Sequence, residues 1–182
     1  MTMALPQAYA WLNNVGQLPK MLSIAIGLLG TREVPGPGNS SAIMGWADEV
    51  GQRRIGYRYT ADSVPWCGLF MAVVALRAGY APPPGPLYAL NWGAFGAEGH
   101  QPELGEVLTF VRPDGGHVAL YVGEDREAYH VLGGNQTDSV SFTRIAKTRL
   151  RAVRRPPYKI GPPPSVRPYV LAATGTLSRN EA

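Results

Sequence analysis

Eight consecutive apolar residues, Leu69 to Leu76, follow closely on the single cysteine of the chain, and no other stretch restricts the fold as much. A helix that is apolar on every face is a buried one. The segment therefore predicts a central helix enclosed by the rest of the chain. Pro65 suits the first helical position, where its missing N–H would be unsatisfied anyway. Asp62 or Ser63 is placed to cap the helix, and Arg77-Ala78-Gly79 supplies a basic last turn and a stop. Cys67 then rides the N-terminal tip. Partial positive charge and free N–H groups gather there. Both favour the nucleophilic thiolate, and the same N–H groups can hold a developing oxyanion. A free cysteine also serves as a small buried hydrophobe, so its role depends on what the remainder of the chain brings to it.

Before the cysteine, helical periodicity predicts helices over 20–29 and 42–50, preceded by a short helix or irregular lead-in over 4–18. Segment 52–62 reads as loop. Residues 81–99, rich in Pro, Gly and Ala, read as a long loop with one helical turn, and loops of that length are usually functional. In the second half, apolar runs alternate with turn signals such as Pro113-Asp114-Gly115-Gly116 and Gly133-Gly134-Asn135. They predict strands over 106–111, 117–122, 128–132, 140–144 and 149–154. Helices first and strands second define an α+β fold, here an antiparallel meander of about five strands under the buried helix. Residues 1–157 form the domain. Residues 158–182, with Gly161-Pro162-Pro163-Pro164, read as a proline-rich extended tail outside the core, its end disordered.

Charge is unevenly distributed. Residues 1–143 carry 8 Lys/Arg and 12 Asp/Glu, whereas 144–182 carry 9 and 1. The basic end predicts either an anionic polymer as partner or basic side chains that guard a sheet edge. One cysteine excludes a disulfide framework and a thiolate metal cluster, and no cofactor is expected. The chain shows no signal peptide, and its Met21–Gly30 apolar stretch is too short to span a bilayer. It is thus expected to be made in the cytoplasm, to insert in no membrane, and to need another agent if it acts outside.

A cysteine nucleophile needs a base, and the histidines are His100, His117 and His130. His117 follows two glycines at the start of a strand, where a side chain can be reached. If a five-residue loop, 123–127, joins the second and third strands, Val122 pairs with Ala128 and His117 with Gly133. Asn135 then lies beside His117 on the same face, and His130 points to the other face. A base oriented by an amide carbonyl is the Cys-His-Asn arrangement. Gly133 and Gly134 would admit a substrate backbone, with Gln136 next to them. Trp66 either buttresses the helix tip or meets substrate, and Trp92 either lines a cleft or plugs the core.

These residues resemble a known family. Pro65-Trp66-Cys67, Gly116-His117-Val118 and Gly133-Gly134-Asn135-Gln136 look like the CHAP and NlpC/P60-like cysteine amidohydrolases. Within that family the likeness is to a bacterial and phage subgroup with a Gly-Thr-x-Glu-x-Pro-Gly segment, here Gly30 to Gly36. Leu90-Asn91-Trp92-Gly93 and Arg154-Arg155-Pro156 also match, and the likeness covers residues 5–157. The resemblance implies a papain-like fold and hydrolysis of a peptidoglycan amide, either the sugar-to-L-Ala bond or one within the stem peptide. It implies Cys67 as nucleophile, His117 as base and Asn135 as the orienting residue. Without a signal, the expected role is that of a phage or prophage lysis enzyme released through a membrane lesion, or of a toxin injected into a rival cell, the latter with an inhibitory immunity partner. The alternatives are another papain-like activity, such as a protein peptidase or transamidase, or a non-enzymatic wall-binding module using the basic strand. Nucleic acid is not an expected partner.

Overall fold

The structure, a computed structural model, describes residues 3–179. A 3-10 helix, Gln7–Asn14, leads into α1 (Lys20–Gly27), α2 (Ser41–Val50), the one-turn α3 (Gln52–Ile55) and α4 (Cys67–Ala78). A second 3-10 segment, Ala89–Ala94, and the two-residue β1 (Ala97–Glu98) follow. The sheet then builds from β2 (Val107–Arg112), β3 (Gly115–Glu124), β4 (Ala128–Gly133), β5 (Ser141–Ala146), β6 (Leu150–Arg155) and β7 (Leu177–Ser178). The class is α+β, as expected. The strand count is not: the sheet has seven strands in the order β1-β6-β2-β3-β4-β5-β7 and is mixed, because β7 runs parallel to β5. The five expected strands are β2 to β6. The additions are two-residue strands at the edges, too short to carry a period-two signal.

The meander is also interrupted. After β5 the chain does not add a strand beside it but crosses through Lys147–Arg149, so that β6 pairs with β2. In a flat sheet β5 and β6 would lie about 19 Å apart across four strand spacings. Four Cα steps from Ala146 to Leu150 reach only about 14 Å. The sheet must curl, and its concave face closes on a core of its own: Leu108, Phe110, Ala119, Tyr121, Tyr129, Val131, Ile145 and Val153. The alternate residues Val118, Leu120, Val122 and Leu132 face the helices.

Between sheet and helices lies α4. Leu69 through Ala75 are all fully buried, which is what an apolar run without a polar face requires. α1 and α2 pack on it, and the Trp46 ring of α2 packs at a tilt against Trp66 and Phe70, each at 5.9 Å between centroids. Segment 52–62 is not all loop. Gly51, at φ 84°, breaks the chain between α2 and α3 and closes the last turn of α2 through its N–H to Ala47. Among the described residues no helix is long and apolar enough to cross a membrane.

The proline-rich tail does not lie outside the core. The amide of Leu104 bonds the Arg167 carbonyl at 3.1 Å, and the amide of Glu124 bonds that of Tyr169 at 2.8 Å. Ser165 is buried and donates to the Gln17 carbonyl, and Tyr169 packs on Trp11. Leu177–Ser178 then forms β7. Isolated aromatic and aliphatic residues, not a periodic face, anchor this segment, which is why periodicity misses it. Of the end expected to be disordered, 174–179 follows this path and 180–182 lies outside the described residues.

A buried polar group ties these parts together. Asp125 Oδ2 accepts from Arg144 Nε at 2.7 Å and from His130 Nε2 at 2.8 Å, while its Oδ1 accepts from the amides of Glu127 and Ala128. Because Nε2 of His130 donates, its Nδ1 is the acceptor for the Tyr9 hydroxyl at 2.9 Å. Arg144 continues to the Gly175 carbonyl at 2.8 Å. N-terminal helix, sheet and tail thus meet on one carboxylate. Arg144 foremost, aided by the surrounding N–H groups, holds Asp125 well below the usual carboxylate range. Burial pushes His130 down despite Asp125, so it is neutral at pH 7. Removing one partner of a buried pair leaves the other charge uncompensated, so Asp125→Ala should cost about 3–5 kcal/mol at pH 7. A depressed carboxylate stabilises above its unfolded value, near 3.9, and loses that contribution as pH falls through the folded one. Urea melts of wild type and variant should therefore converge in acid; a gap that widens in acid would refute the assignment.

Candidate active site at the tip of α4

The helix begins at Cys67 with Trp66 as its N-cap, and no side chain caps it. Neither Asp62 nor Ser63 does so. Asp62 instead accepts from the amides of Val34 and Ser40, at 2.9 and 2.7 Å, and fixes the loop before α2. The uncapped first turn leaves its N–H groups near the sulfur, where the amides of Cys67 and Gly68 favour the thiolate. The amide of Val118 on β3, the residue after His117, favours it too. The tip is thus pressed against the strand that carries the candidate base.

Gly68 is required by close approach. A Cβ there would lie 2.1 Å from the Pro86 carbonyl oxygen and 2.6 Å from that of Leu87. The 81–99 loop crosses the helix at van der Waals contact, and Trp92, fully buried, holds it by donating Nε1–H to the same Pro86 oxygen at 2.9 Å. Trp92 is therefore a core plug. Trp66 is likewise fully buried, and its Nε1 donates to Glu33 Oε1 at 2.6 Å. It buttresses the tip and is not open to a ligand. Glu33, whose carboxyl burial pushes up, belongs to the Gly30–Gly36 segment. That segment pairs with 138–140 through Gly30 N–H to Val140 O and Glu33 N–H to Asp138 O, both at 3.0 Å. No local sequence signal marks Glu33, because its role depends on that long-range pairing.

His117 is buried at the start of β3, and its Nε2 lies 3.1 Å from Gln136 Oε1. Gln136 Nε2 donates to the Ser141 carbonyl, which leaves its oxygen for the ring. Nε2 of His117 therefore carries the proton, and Nδ1 is the basic nitrogen of the neutral ring. This corrects the expected third residue: Gln136, not Asn135, orients His117. The physical reason is register. The hairpin loop is tighter than 123–127, because Glu124 pairs with Tyr129, and a bulge between Tyr121 and Gly123 then shifts the pairing by one, so that Leu120 pairs with Leu132 and Val122 does not face Ala128. Gly133 comes beside Ala119, two places from the expected pairing with His117, and a Cβ on it would be 2.9 Å from that of Ala119. β4 ends at Gly133, and the chain turns through Asn135, Thr137 and Asp138, each with φ between 53° and 56°. Three non-glycine residues in the left-handed region store strain, and the turn returns the Gln136 side chain to the histidine. Asn135 is buried with Oδ1 unsatisfied.

The two glycines do not open a path for substrate on their Cβ side. Gly133 packs against Gln136 and Ala119, and a Cβ on Gly134 would meet Phe70 at 2.5 Å and Trp66 at 2.8 Å. His130 is engaged by Asp125 and Tyr9, as described. Among the described residues no three His, Cys, Asp or Glu side chains gather as a metal-binding group. No family model matches the chain, and no curated protein matches it.

The electrostatics of the thiol are mixed. Cys67 is 4% exposed. Burial pushes its pKa up, while the Val118 amide, the Arg112 charge and the helix-tip amides pull it down without cancelling the burial. The resting sulfur is a thiol that must lose its proton to react. The rate of alkylation by iodoacetamide should rise with pH through a midpoint above that of a free cysteine, about 8.5. A midpoint below that value would contradict this environment.

Proposed function

We propose that the protein is a cysteine amidohydrolase of papain-like design that cuts an amide bond of peptidoglycan. The observation that carries the reading is the Cys67 sulfur at an uncapped helix tip packed on the strand of His117, whose ring meets a glutamine carbonyl oxygen at 3.1 Å. A nucleophile, a base and an orienting acceptor are the three parts such chemistry needs. The likeness of the ordered motifs to CHAP and NlpC/P60-like enzymes supplies the substrate.

In the proposed cycle His117 Nδ1 takes the thiol proton, and sulfur attacks the amide carbon. The carbonyl electron pair moves to oxygen, where the N–H groups of the first turn of α4 hold it. As the carbon–nitrogen bond breaks, His117 returns the proton to the leaving amine. A thioester remains. Water, deprotonated by His117, attacks it, and the carbon–sulfur bond breaks to release the carboxylate and restore the thiol. Gln136 keeps the imidazole in the tautomer that starts each half. The basic strand supports the wall-binding alternative poorly, because Arg144, Lys147, Arg154 and Arg155 are spent on internal partners. Action on the wall of the producing cell's exit route or of a rival would take place outside the cytoplasm.

Cys67→Ala should abolish lysis of purified walls with the fold unchanged. Mass spectrometry of the muropeptides released by wild type would name the bond cut; walls left intact by folded wild type would refute the reading. On one purified muropeptide His117→Ala should lose the whole acid–base contribution, roughly 10²–10⁴-fold. Gln136→Ala loses orientation alone, at ~tenfold or somewhat more, and Asn135→Ala should lose less. Equal rates for Gln136→Ala and wild type would remove the glutamine from the site.

A further inference from the structure

Two distant segments cover the outer edge of β5, and they do not meet. Before β5, Val140 accepts from the Gly30 amide at 3.0 Å and donates to the Thr31 carbonyl at 2.8 Å. Farther along, β7 pairs Leu177 with Arg144 and Ser178 with Ile145. Residues 141–143 lie between, and among the described residues no strand pairs with them on that side. Backbone groups alternate sides along an antiparallel strand. Val140 turns both of its groups outward, and β5 keeps its register with β4 from Ser141 to Ala146 without a bulge. Phe142 therefore turns its N–H and C=O outward as well, into the gap. From Val140 to Arg144 the gap measures about 13 Å, room for about three extended residues.

A cavity of about 470 Å³ fills this gap, between β5 and segment 174–176, which leads into β7 without pairing. That volume suits a short peptide. The stacked rings of Tyr9 and Phe142, 4.0 Å between centroids, give it an apolar wall, and Thr143, Thr174 and Thr176 add hydroxyls. Its lining holds no aspartate or glutamate. It holds two arginines. Arg144 is spent on Asp125 and the Gly175 carbonyl. Arg32 is exposed, stands in the segment that ends the gap, and has no ion-pair partner among the described residues.

We propose that this gap binds the C-terminal tail of a protein partner as a short added strand, with the tail's carboxylate at Arg32. An open edge is a template for a further strand, whose main-chain hydrogen bonds supply the affinity. A strand antiparallel to β5 runs toward Gly30 and is stopped there, because the Gly30–Glu33 segment already occupies the same line. Only a chain end fits such a stop. Its carboxylate arrives beside Arg32, whose guanidinium can hold both oxygens. Wall stem peptides also end in carboxylates, but their D-residues do not suit a ladder built on L-residues. The site is separate from the amide-hydrolase reading and does not rest on it.

Hydrogen exchange followed by NMR on the full chain tests this without any catalysis. In the free protein the Phe142 amide should exchange ~tenfold or more faster than those of Ser141 and Thr143, which face β4. A pool of N-acetylated tetrapeptides of L-residues with free C-terminal carboxylates should slow Phe142 by ~tenfold. The same pool capped as C-terminal amides should slow it much less. Arg32→Gln should erase the advantage of acid over amide and leave Phe142 fast in the free chain. A Phe142 amide as slow as its neighbours in the free chain overturns the inference, and so does a failure of the acid pool to slow it. Equal protection by acid and amide overturns the role of Arg32. Stronger protection by a pool of alternating L- and D-residues transfers the site to wall peptides and overturns the protein tail as occupant.

Discussion

The fold depends on the contact between the first turn of α4 and β3. An apolar helix must be enclosed, and enclosure on the sheet side brings its N-terminal tip against Val118. Gly68 lets the 81–99 loop cover the same turn, and Trp66 and Gly134 meet over Phe70. Each neighbour leaves almost no space. The position of the sulfur relative to β3 is consequently a product of core packing, and a substitution that loosens this packing would move the sulfur as well as destabilise the protein.

The same enclosure sets the chemical problem. Burial opposes the thiolate, while backbone N–H groups and a distant arginine favour it. In the proposed mechanism charge is created only when a base is aligned to take the proton. The alignment comes from a strained turn. Asn135, Thr137 and Asp138 hold left-handed conformations, Ser139 and Ser141 brace the Gln136 carbonyl, and the Gln136 side chain spans from Ser141 to His117. The pairing of 138–140 with the Gly30–Glu33 segment closes this turn from outside and brings Glu33 to Trp66. Trp66, next to Cys67, and Gln136 are therefore supported by one continuous set of contacts.

The parts legible in the sequence were those with local signals. The Leu69–Leu76 run named the central helix, and period-two strands with glycine turns named β2 to β6 within one or two residues. Cys67 and His117 stood out as a lone thiol at a helix start and a histidine at a strand start. The rest depended on long-range geometry. The hairpin turn is tighter than expected, with Glu124 paired to Tyr129, and a bulge in β3 without sequence signature shifts the pairing again, so Gly133 comes beside Ala119. The orienting role consequently fell to Gln136, which the reading had placed among substrate contacts. Basic residues of β5 and β6 read as either a surface for a polymer or guards of a sheet edge, yet Arg144 pairs with buried Asp125 and the half-exposed Arg155 with buried Glu106. The tail looked unanchored because Ser165, Tyr169 and Leu177 are isolated anchors without a period.

The central claim is that the sulfur of Cys67 performs the chemistry. Because it is the only cysteine, methyl methanethiosulfonate, a small and reversible thiol cap, tests that claim directly. Residual hydrolysis of a purified muropeptide is measured against the moles of S-methylthio group incorporated per chain. The account predicts a linear fall to zero at one group per chain and full recovery when a thiol reductant removes it. Substantial activity at complete modification would contradict it.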